Sequence, residues 1–504
     1  MPAIYDVCLR LADWCLARSR LAKLTAALAV VASAVAVDRV VLRDFPNSGD
    51  EYVYLYQART LADGHWVNQA PTRPESFAFN YIVFADGRAY GVFPVGWPLM
   101  LAGAIAFGIP TWLVNPVLGA ISVFLVACLG SRLHSPRVGV LAALVVAVSP
   151  FFLFNAASYF SHTLCGALLL AAGCLAARED RSPSWVPLGV GFLLGWAVTT
   201  RYFTGVVCGV PIVLWTFRRG GFRPRALVSL AAGGLPWVLL LAVSNNVLMG
   251  APWHLSVSQD TVSNWFARGF IRHGADMTAS HLLQFMLWTP PLLLVAYGAY
   301  LRMAPHETRR GALDWMLVFL AVGLYCYSER GGNQYGPRFY YEAFSFAAIY
   351  VVANLFRQAA FSEKSQGDRK LFALVAASVA VLPVILVVHA VIEHRVVRER
   401  MDLFDRSSLS SFEQSVLFIS GRVGTSRSMA AEDLTRNGTT YSRRVLFALD
   451  LGIEQDCQTL LQLHRRSGYI YAWDARARSG TLRPIACAAR PPERDARSRL
   501  RTGG

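Results

Sequence analysis

The chain has 504 residues, of which 54% are apolar and only 16% charged, with a mean hydropathy of +0.38. That is too apolar and too charge-poor for an ordinary soluble enzyme, and it describes a polytopic membrane protein. Lys and Arg number 48 against 32 Asp and Glu. In a soluble chain this excess would suggest nucleic acid, but here the basic residues sit in short loops between apolar segments, where they set topology, so nucleic-acid binding is discounted.

The N-terminus is a charged amphipathic segment with Arg10, Arg18, Arg20 and Lys23, followed by an apolar run from Leu24 to Val37. No small-residue cleavage site follows it, so it reads as a retained anchor. A spanning helix needs roughly 20 mainly apolar residues. That test places crossings near 21–42, 112–131, 137–154, 162–178, 185–201, 204–217, 226–247, 280–302, 314–328, 339–357 and 370–392, about eleven in all.

Loop charge tests this count. The basic connections hold Arg132 and Arg137; Arg178 and Arg181; Arg218, Arg219, Arg223 and Arg225; Arg302, Arg309 and Arg310; and Arg357, Lys364, Arg369 and Lys370. All are expected to face the cytoplasm, together with the N-terminus. They alternate correctly only if Trp97–Leu133 crosses once, which makes Trp97–Ile109 interfacial. The other connections then lie outside: 43–111, 155–161, the Arg201–Tyr202 junction, 248–279, 329–338 and everything after 393. They are rich in Trp, Tyr, His and Gly, as an aromatic belt at the headgroup level would be.

The first outer loop, 43–111, carries its own helix signals: a Ser48 cap, a mixed helix and a stop at Gly64, then an apolar helix after Pro94. Beyond Glu393 hydrophobicity falls. Short runs, Ser-Val-Leu-Phe-Ile-Ser, Arg-Val-Leu-Phe-Ala-Leu-Asp and Tyr-Ile-Tyr-Ala-Trp-Asp, read as strands, and Glu454–Arg465 reads as a helix. The expected architecture is an all-α transmembrane domain over 1–392, a small extracytoplasmic α/β domain over 393–489 and a disordered basic tail over 490–504. Cys457 and Cys487 can pair if that domain is outside, although nothing in the sequence fixes their geometry. The remaining cysteines read as small hydrophobes, with no zinc-ligand spacing among the nine. Asn437-Gly-Thr has the glycosylation-acceptor pattern and is read as accidental.

Asp50 and Glu51 are the acids of most interest. Ser48 with Glu51 three residues on is a capping box, and acids are favoured in a helix's first turn. One acid suffices for the box. Asp50 is left as a carboxylate close to the bilayer surface, in want of a partner or a substrate.

The run Asp50-Glu51-x-x-Tyr54-x-x-x-Ala58-x-x-Leu61-x-x-Gly64, followed by Pro94-x-Gly96-Trp97-Pro98-Leu99, resembles the GT-C glycosyltransferases, such as the protein O-mannosyltransferases and the aminoarabinose transferases of lipid A. The resemblance is diffuse over about residues 20–390. It implies an inverting, bacterial inner-membrane glycosyltransferase, with a polyprenyl-phosphate-linked sugar as donor and an envelope lipid, glycan or protein as acceptor, acting outside the cytoplasm. It also implies that Asp50 is the catalytic base.

Such a reaction needs a carboxylate to take the acceptor's proton and cations to hold the phosphate. Arg201 and Arg338 are the cation candidates. The second lies in Gly-Pro-Arg-Phe-Tyr-Tyr-Glu, similar to a run in many relatives, and the bland alternative for it is an i to i+4 pair with Glu342. Glu51, Tyr54, His162, Tyr202, His254, Tyr340 and Glu342 complete the expected substrate-binding set. His162 stands where many relatives carry an acid, which puts in doubt a metal bound through that position; no cofactor is assigned, and a divalent metal stays open. A membrane transporter or lipid flippase is the alternative function. It would need ionisable groups at mid-membrane depth, and the apolar segments are nearly free of charge in their middles.

Overall fold

A computed structural model describes residues 10, 19–79, 81–178, 185–220, 223–254, 270–289, 334–361, 366–407, 412, 414–420, 437–465, 467–474 and 476–487. The chain divides into two compact units, Met1–Val67 with Tyr90–Val397, and Asn68–Ala89 with Arg398–Gly504.

The first unit is helical. Helix α1 (Ser19–Ala36) runs into a π-helical turn, Val37–Leu42, which ends where Arg43 and Asp44 take left-handed backbone angles. In that turn Asp38 is buried, and its carbonyl accepts the Asp44 N–H at 3.2 Å. Helix α2 (Gly49–Ala62) follows, and after the excursion of residues 68–89 come α3 (Gly96–Ala106), α4 (Thr111–Leu133), α5 (Pro136–Ala147), α6 (Pro150–Ala157), α7 (His162–Ala176), α8 (Trp185–Thr200), α9 (Tyr202–Gly220), α10 (Pro224–Met249) and α11 (Phe270–Trp288). A 3₁₀ turn at Arg338–Tyr340 leads into α12 (Tyr341–Phe361), and α13 spans Gln366–Ser407.

Close approaches fix this bundle. A Cβ on Gly191 of α8 would lie 2.0 Å from Leu230 O, and one on Gly233 of α10 would lie 2.0 Å from Leu188 O. Both positions therefore need glycine for the two backbones to touch.

Among the described residues four helices are long and apolar enough to cross a membrane, within Leu24–Leu42, Thr111–Leu133, Pro224–Met249 and Val379–Arg406, and five if the bent pair α5–α6 is one span. Helices α3, α7, α8 and Tyr202–Phe217 are apolar but shorter. The expected crossing at 137–154 is thus two helices bent by 64°, with Pro150 opening the second, where its missing N–H costs nothing. The segment expected to begin at 280 is already helical from Phe270, so the outer loop expected over 248–279 is shortened. The rest of that segment and the crossing at 314–328 lie outside the described residues, as do the basic tail and most of the amphipathic N-terminus.

The change of composition at Glu393 is not a break. Helix α13 continues to Ser407 with Val397, Leu403 and Phe404 buried along its last turns.

The second unit holds two sheets. Residues 68–91 form β1 (Asn68–Gln69), β2 (Ile82–Ala85) and β3 (Arg88–Gly91) in the order β1-β3-β2. The other sheet has β4 (Ser415–Ser420), β5 (Val445–Leu449), β6 (Ser467–Asp474) and β7 (Ser479–Pro484) in the order β5-β4-β6-β7, with β4 parallel to both β5 and β6, and β7 antiparallel to β6. Helix α14 (Ile453–Gln462) packs Leu460 onto Val416, Phe418, Leu446 and Ala448, with Phe77 in the same cluster.

In the C-terminal sheet β4, β5, β6 and the helix fall where the apolar runs place them, whereas β7, Ser-Gly-Thr-Leu-Arg-Pro, carries no such signal. A disulfide joins Cys457 of α14 to Cys487 after β7. Asn437 is buried, and its amide donates to Phe447 O and accepts from Phe447 N–H, both at 2.7 Å, so its acceptor-like triplet serves the strand edge.

Candidate active site

Three stretches of the first unit converge: the start of α2, the α6–α7 junction with the α8–α9 junction beside it, and the 3₁₀ turn before α12. Ser48 caps α2, its Oγ accepting the Glu51 N–H at 3.4 Å. The capping box is altered. Glu51 Oε2 accepts the N–H of Asn47, one residue before the cap, while Oε1 accepts the N–H of Tyr159, both at 2.9 Å. Glu51 thus ties the helix start to residues 158–161. Burial pushes this carboxyl up to about 7, against the pull of those two N–H groups.

The same junction is held by Trp97, whose indole donates to Tyr159 O at 2.8 Å, and by Asn115, whose amide donates to Ser158 O and Phe160 O. The carbonyls of Ser158, Tyr159 and Phe160 and the N–H of Tyr159 are thereby satisfied by neighbouring helices, which lets an irregular segment stay buried.

The third stretch is fixed in the same way. Asn47 Nδ2 donates to Tyr335 Oη at 3.2 Å, and Asn155 Nδ2 donates to Tyr335 O at 3.1 Å. Tyr335 and Gly336 both have positive φ, 58° and 92°. A Cβ on Gly336 would meet the Phe151 ring at 2.6 Å, so the turn that presents Arg338 requires glycine there.

On this frame Arg338 Nη2 donates to Asp50 Oδ2 at 2.7 Å, and its guanidinium lies 4.1 Å from the centre of the Phe160 ring. Its Nε and Nη1 are buried without a hydrogen-bond partner among the described residues. Glu342 is held separately: Arg201 Nε is 3.3 Å and His162 Nδ1 3.1 Å from its Oε1. Arg201 Nη1 also donates to Ser161 Oγ at 3.3 Å, and Ser161 shares a 3.2 Å hydrogen bond with Tyr54 Oη. The i to i+4 pair of Arg338 with Glu342 does not form, because Arg338 lies in the 3₁₀ turn and the α-helix begins only at Tyr341.

Asp50, Glu51, Tyr54, His162, Arg201, Arg338 and Glu342 are therefore gathered in one place. Tyr202 follows Arg201 as the first residue of α9. Tyr340 faces elsewhere, its ring 5.5 Å from His281 and 5.6 Å from Phe285, and His254 lies in the loop after α10. Ser161, the residue before α7, makes no side-chain capping bond and instead joins Tyr54 to Arg201. Phe160, under Arg338, was not singled out by the sequence; its only signal is its place in the polar and aromatic run Ser-Tyr-Phe-Ser-His between two apolar segments. Among the described residues no three His, Cys, Asp or Glu side chains are grouped to hold a metal ion, so no ligand is assigned.

The three carboxylates differ in access. Glu342 has 0% of its side chain exposed and Glu51 has both oxygens on backbone N–H groups, whereas Asp50 keeps 18% exposed.

Solved structures share this architecture. ArnT from Cupriavidus metallidurans bound to undecaprenyl phosphate superposes with a TM-score of 0.57 at 11% identity, over 93% of this chain and 98% of that one. Its apo form gives 0.56 at 12% identity, over 92% and 94%. The chain carries the GT-C fold. Residues 98–247, from α3 to α10, match the model of the dolichyl-phosphate-mannose-protein mannosyltransferase family. No curated protein sequence matches significantly. The GT-C fold accounts for a multi-pass membrane chain with an added small sheet domain.

Proposed function

We propose that the protein is a membrane glycosyltransferase that moves a sugar from a polyprenyl-phosphate donor to an envelope acceptor on the extracytoplasmic face, with Asp50 as base. The family match and the GT-C fold support the reaction class. The observation that carries the site is the difference among its acids: of Asp50, Glu51 and Glu342 only Asp50 is open, and it lies against a guanidinium whose Nε and Nη1 have no partner among the described residues.

In this reading the acceptor hydroxyl gives its proton to the Asp50 carboxylate as its oxygen bonds to the anomeric carbon. The bond from that carbon to the phosphate oxygen breaks, and its electron pair leaves on the phosphate. Arg338, through Nε and Nη1, stabilises the charge that gathers there, with Arg201 beside it. One displacement at one carbon inverts its configuration. Glu342 and Glu51 are framework: the first orients Arg201 and His162, the second locks the α6–α7 junction to α2. Tyr54, Tyr202 and His254 are proposed substrate contacts, and the N-terminus is cytoplasmic with the second unit outside.

Nothing observed favours the transporter alternative. The reading is tested by supplying the purified protein in lipid with an undecaprenyl-phosphate-linked sugar and membrane acceptor. Donor consumption with release of undecaprenyl phosphate is expected. Translocation of the intact donor between leaflets with no consumption would replace this reading with the flippase one.

A further inference from the structure

The site as built is electrically closed. Asp50 pairs with Arg338 and Glu342 with Arg201, so among the described residues of the site each of these two cations already faces a carboxylate when a lipid phosphate arrives. Opening one pair would give the phosphate a cation whose charge is not already shared with a carboxylate.

The two pairs are unequal. Glu342 is sealed from solvent and pairs with both Arg201 and His162, while Arg201 is further fixed by Ser161. Breaking that set would leave a buried charge uncompensated. Asp50 and Arg338 are joined by a single hydrogen bond through Nη2, both side chains are partly open, and among the described residues the guanidinium's buried Nε and Nη1 donors have no partner. Unmet donors of this kind are costly to leave and point to a ligand with several acceptor oxygens.

From this, and resting on the reading of the protein as a polyprenyl-phosphate-dependent glycosyltransferase, we infer that the donor's phosphate and Asp50 compete for Arg338, so that donor binding is what frees Asp50 to act as base. Without donor, Arg338 holds the carboxylate, which keeps it from activating water or an acceptor. When the phosphate takes the guanidinium, Asp50 loses its partner next to the anomeric carbon it must serve. Binding is therefore ordered, donor before productive acceptor. After transfer the departing lipid phosphate frees Arg338, which recaptures Asp50 once the carboxyl has given up its proton.

The consequence for affinity is specific. A ligand that must displace an internal partner binds more weakly by the fraction of protein in the open state. The probe is undecaprenyl phosphate, titrated into the full-length protein in nanodiscs for wild type, Asp50→Asn, Arg338→Gln and the double variant. Competition predicts that Asp50→Asn binds the lipid about tenfold more tightly than wild type, and that the same substitution changes nothing when position 338 is Gln. Simple relief of charge repulsion would tighten binding in both backgrounds, and that result overturns the inference. So does an Asp50→Asn protein that binds no better than wild type. Asp50→Ser, run alongside, separates a loss of folding from a loss of competition. Absence of saturable binding in every form removes the glycosyltransferase reading itself, whereas saturable binding with no effect of Asp50 removes only the competition.

Discussion

Arg338 and Asp50 lie 288 positions apart in the chain and meet through one 2.7 Å hydrogen bond from Nη2 to Oδ2. Two devices bring them together. Glu51, the neighbour of Asp50, clamps the start of α2 to the backbone of Tyr159, and Gly336 allows the turn that aims Arg338 at the same point. The Asp50 carboxylate and the Arg338 guanidinium are thus positioned by neighbouring framework residues.

The Glu342 cluster yields the first prediction. Glu342→Gln keeps the shape but removes the charge that holds Arg201 Nε, 3.3 Å away. The donor KM is expected to rise about tenfold with a smaller change in kcat, because charge-assisted hydrogen bonds are roughly twice as strong as neutral ones. Steady-state kinetics with varied donor check this, and an unchanged KM would show that Arg201 does not depend on Glu342.

Glu51 makes stability depend on pH. In the folded protein its carboxyl holds a proton up to about 7, whereas the ordinary value is 4.5. The folded state therefore binds more protons than the unfolded chain between those values. This contribution is complete below pH 4.5 and is lost as pH rises towards 7, by up to about 3 kcal/mol. Unfolding measured in detergent at pH 5 and pH 7.5 is expected to show the decline in wild type and a flatter response in Glu51→Gln. Equal slopes for both proteins would mean that the N–H groups of Asn47 and Tyr159 outweigh burial.

The Cys457–Cys487 bridge closes a loop with a sequence separation of 30. Its removal by Cys457→Ser is expected to destabilise the second unit by about 3–4 kcal/mol. Thermal unfolding with and without reductant measures it. On intact cells, a membrane-impermeant thiol reagent applied after reduction labels these cysteines if the unit is outside; labelling only after lysis would place it in the cytoplasm.

Much of the helical frame was legible because a membrane helix writes itself as a long apolar run, as in α4 and α10. The site was legible where an unusual residue stood at a helix end, as Arg201 does in its one-residue connection. Pairing was not. Arg338 and Glu342 have helical spacing, and only the 3₁₀ turn, which no local signal marks, sends one to Asp50 and the other to Arg201. The continuation of α13 past Glu393 was hidden because its last turns are charged, good helix formers that bury only a few apolar side chains. Residues 68–89 were equally opaque: strands of two to four residues are too short to show a period, and their grouping with the C-terminal sheet is a matter of tertiary packing.

The central claim is that Asp50 takes the acceptor's proton. It is tested most directly by turnover of Asp50→Asn, with wild-type folding established by its melting curve and its binding of undecaprenyl phosphate. Transfer of sugar from the polyprenyl-phosphate donor is expected to fall by about 10² to 10⁴. A folded, lipid-binding Asp50→Asn protein that transfers sugar at nearly the wild-type rate would contradict the account.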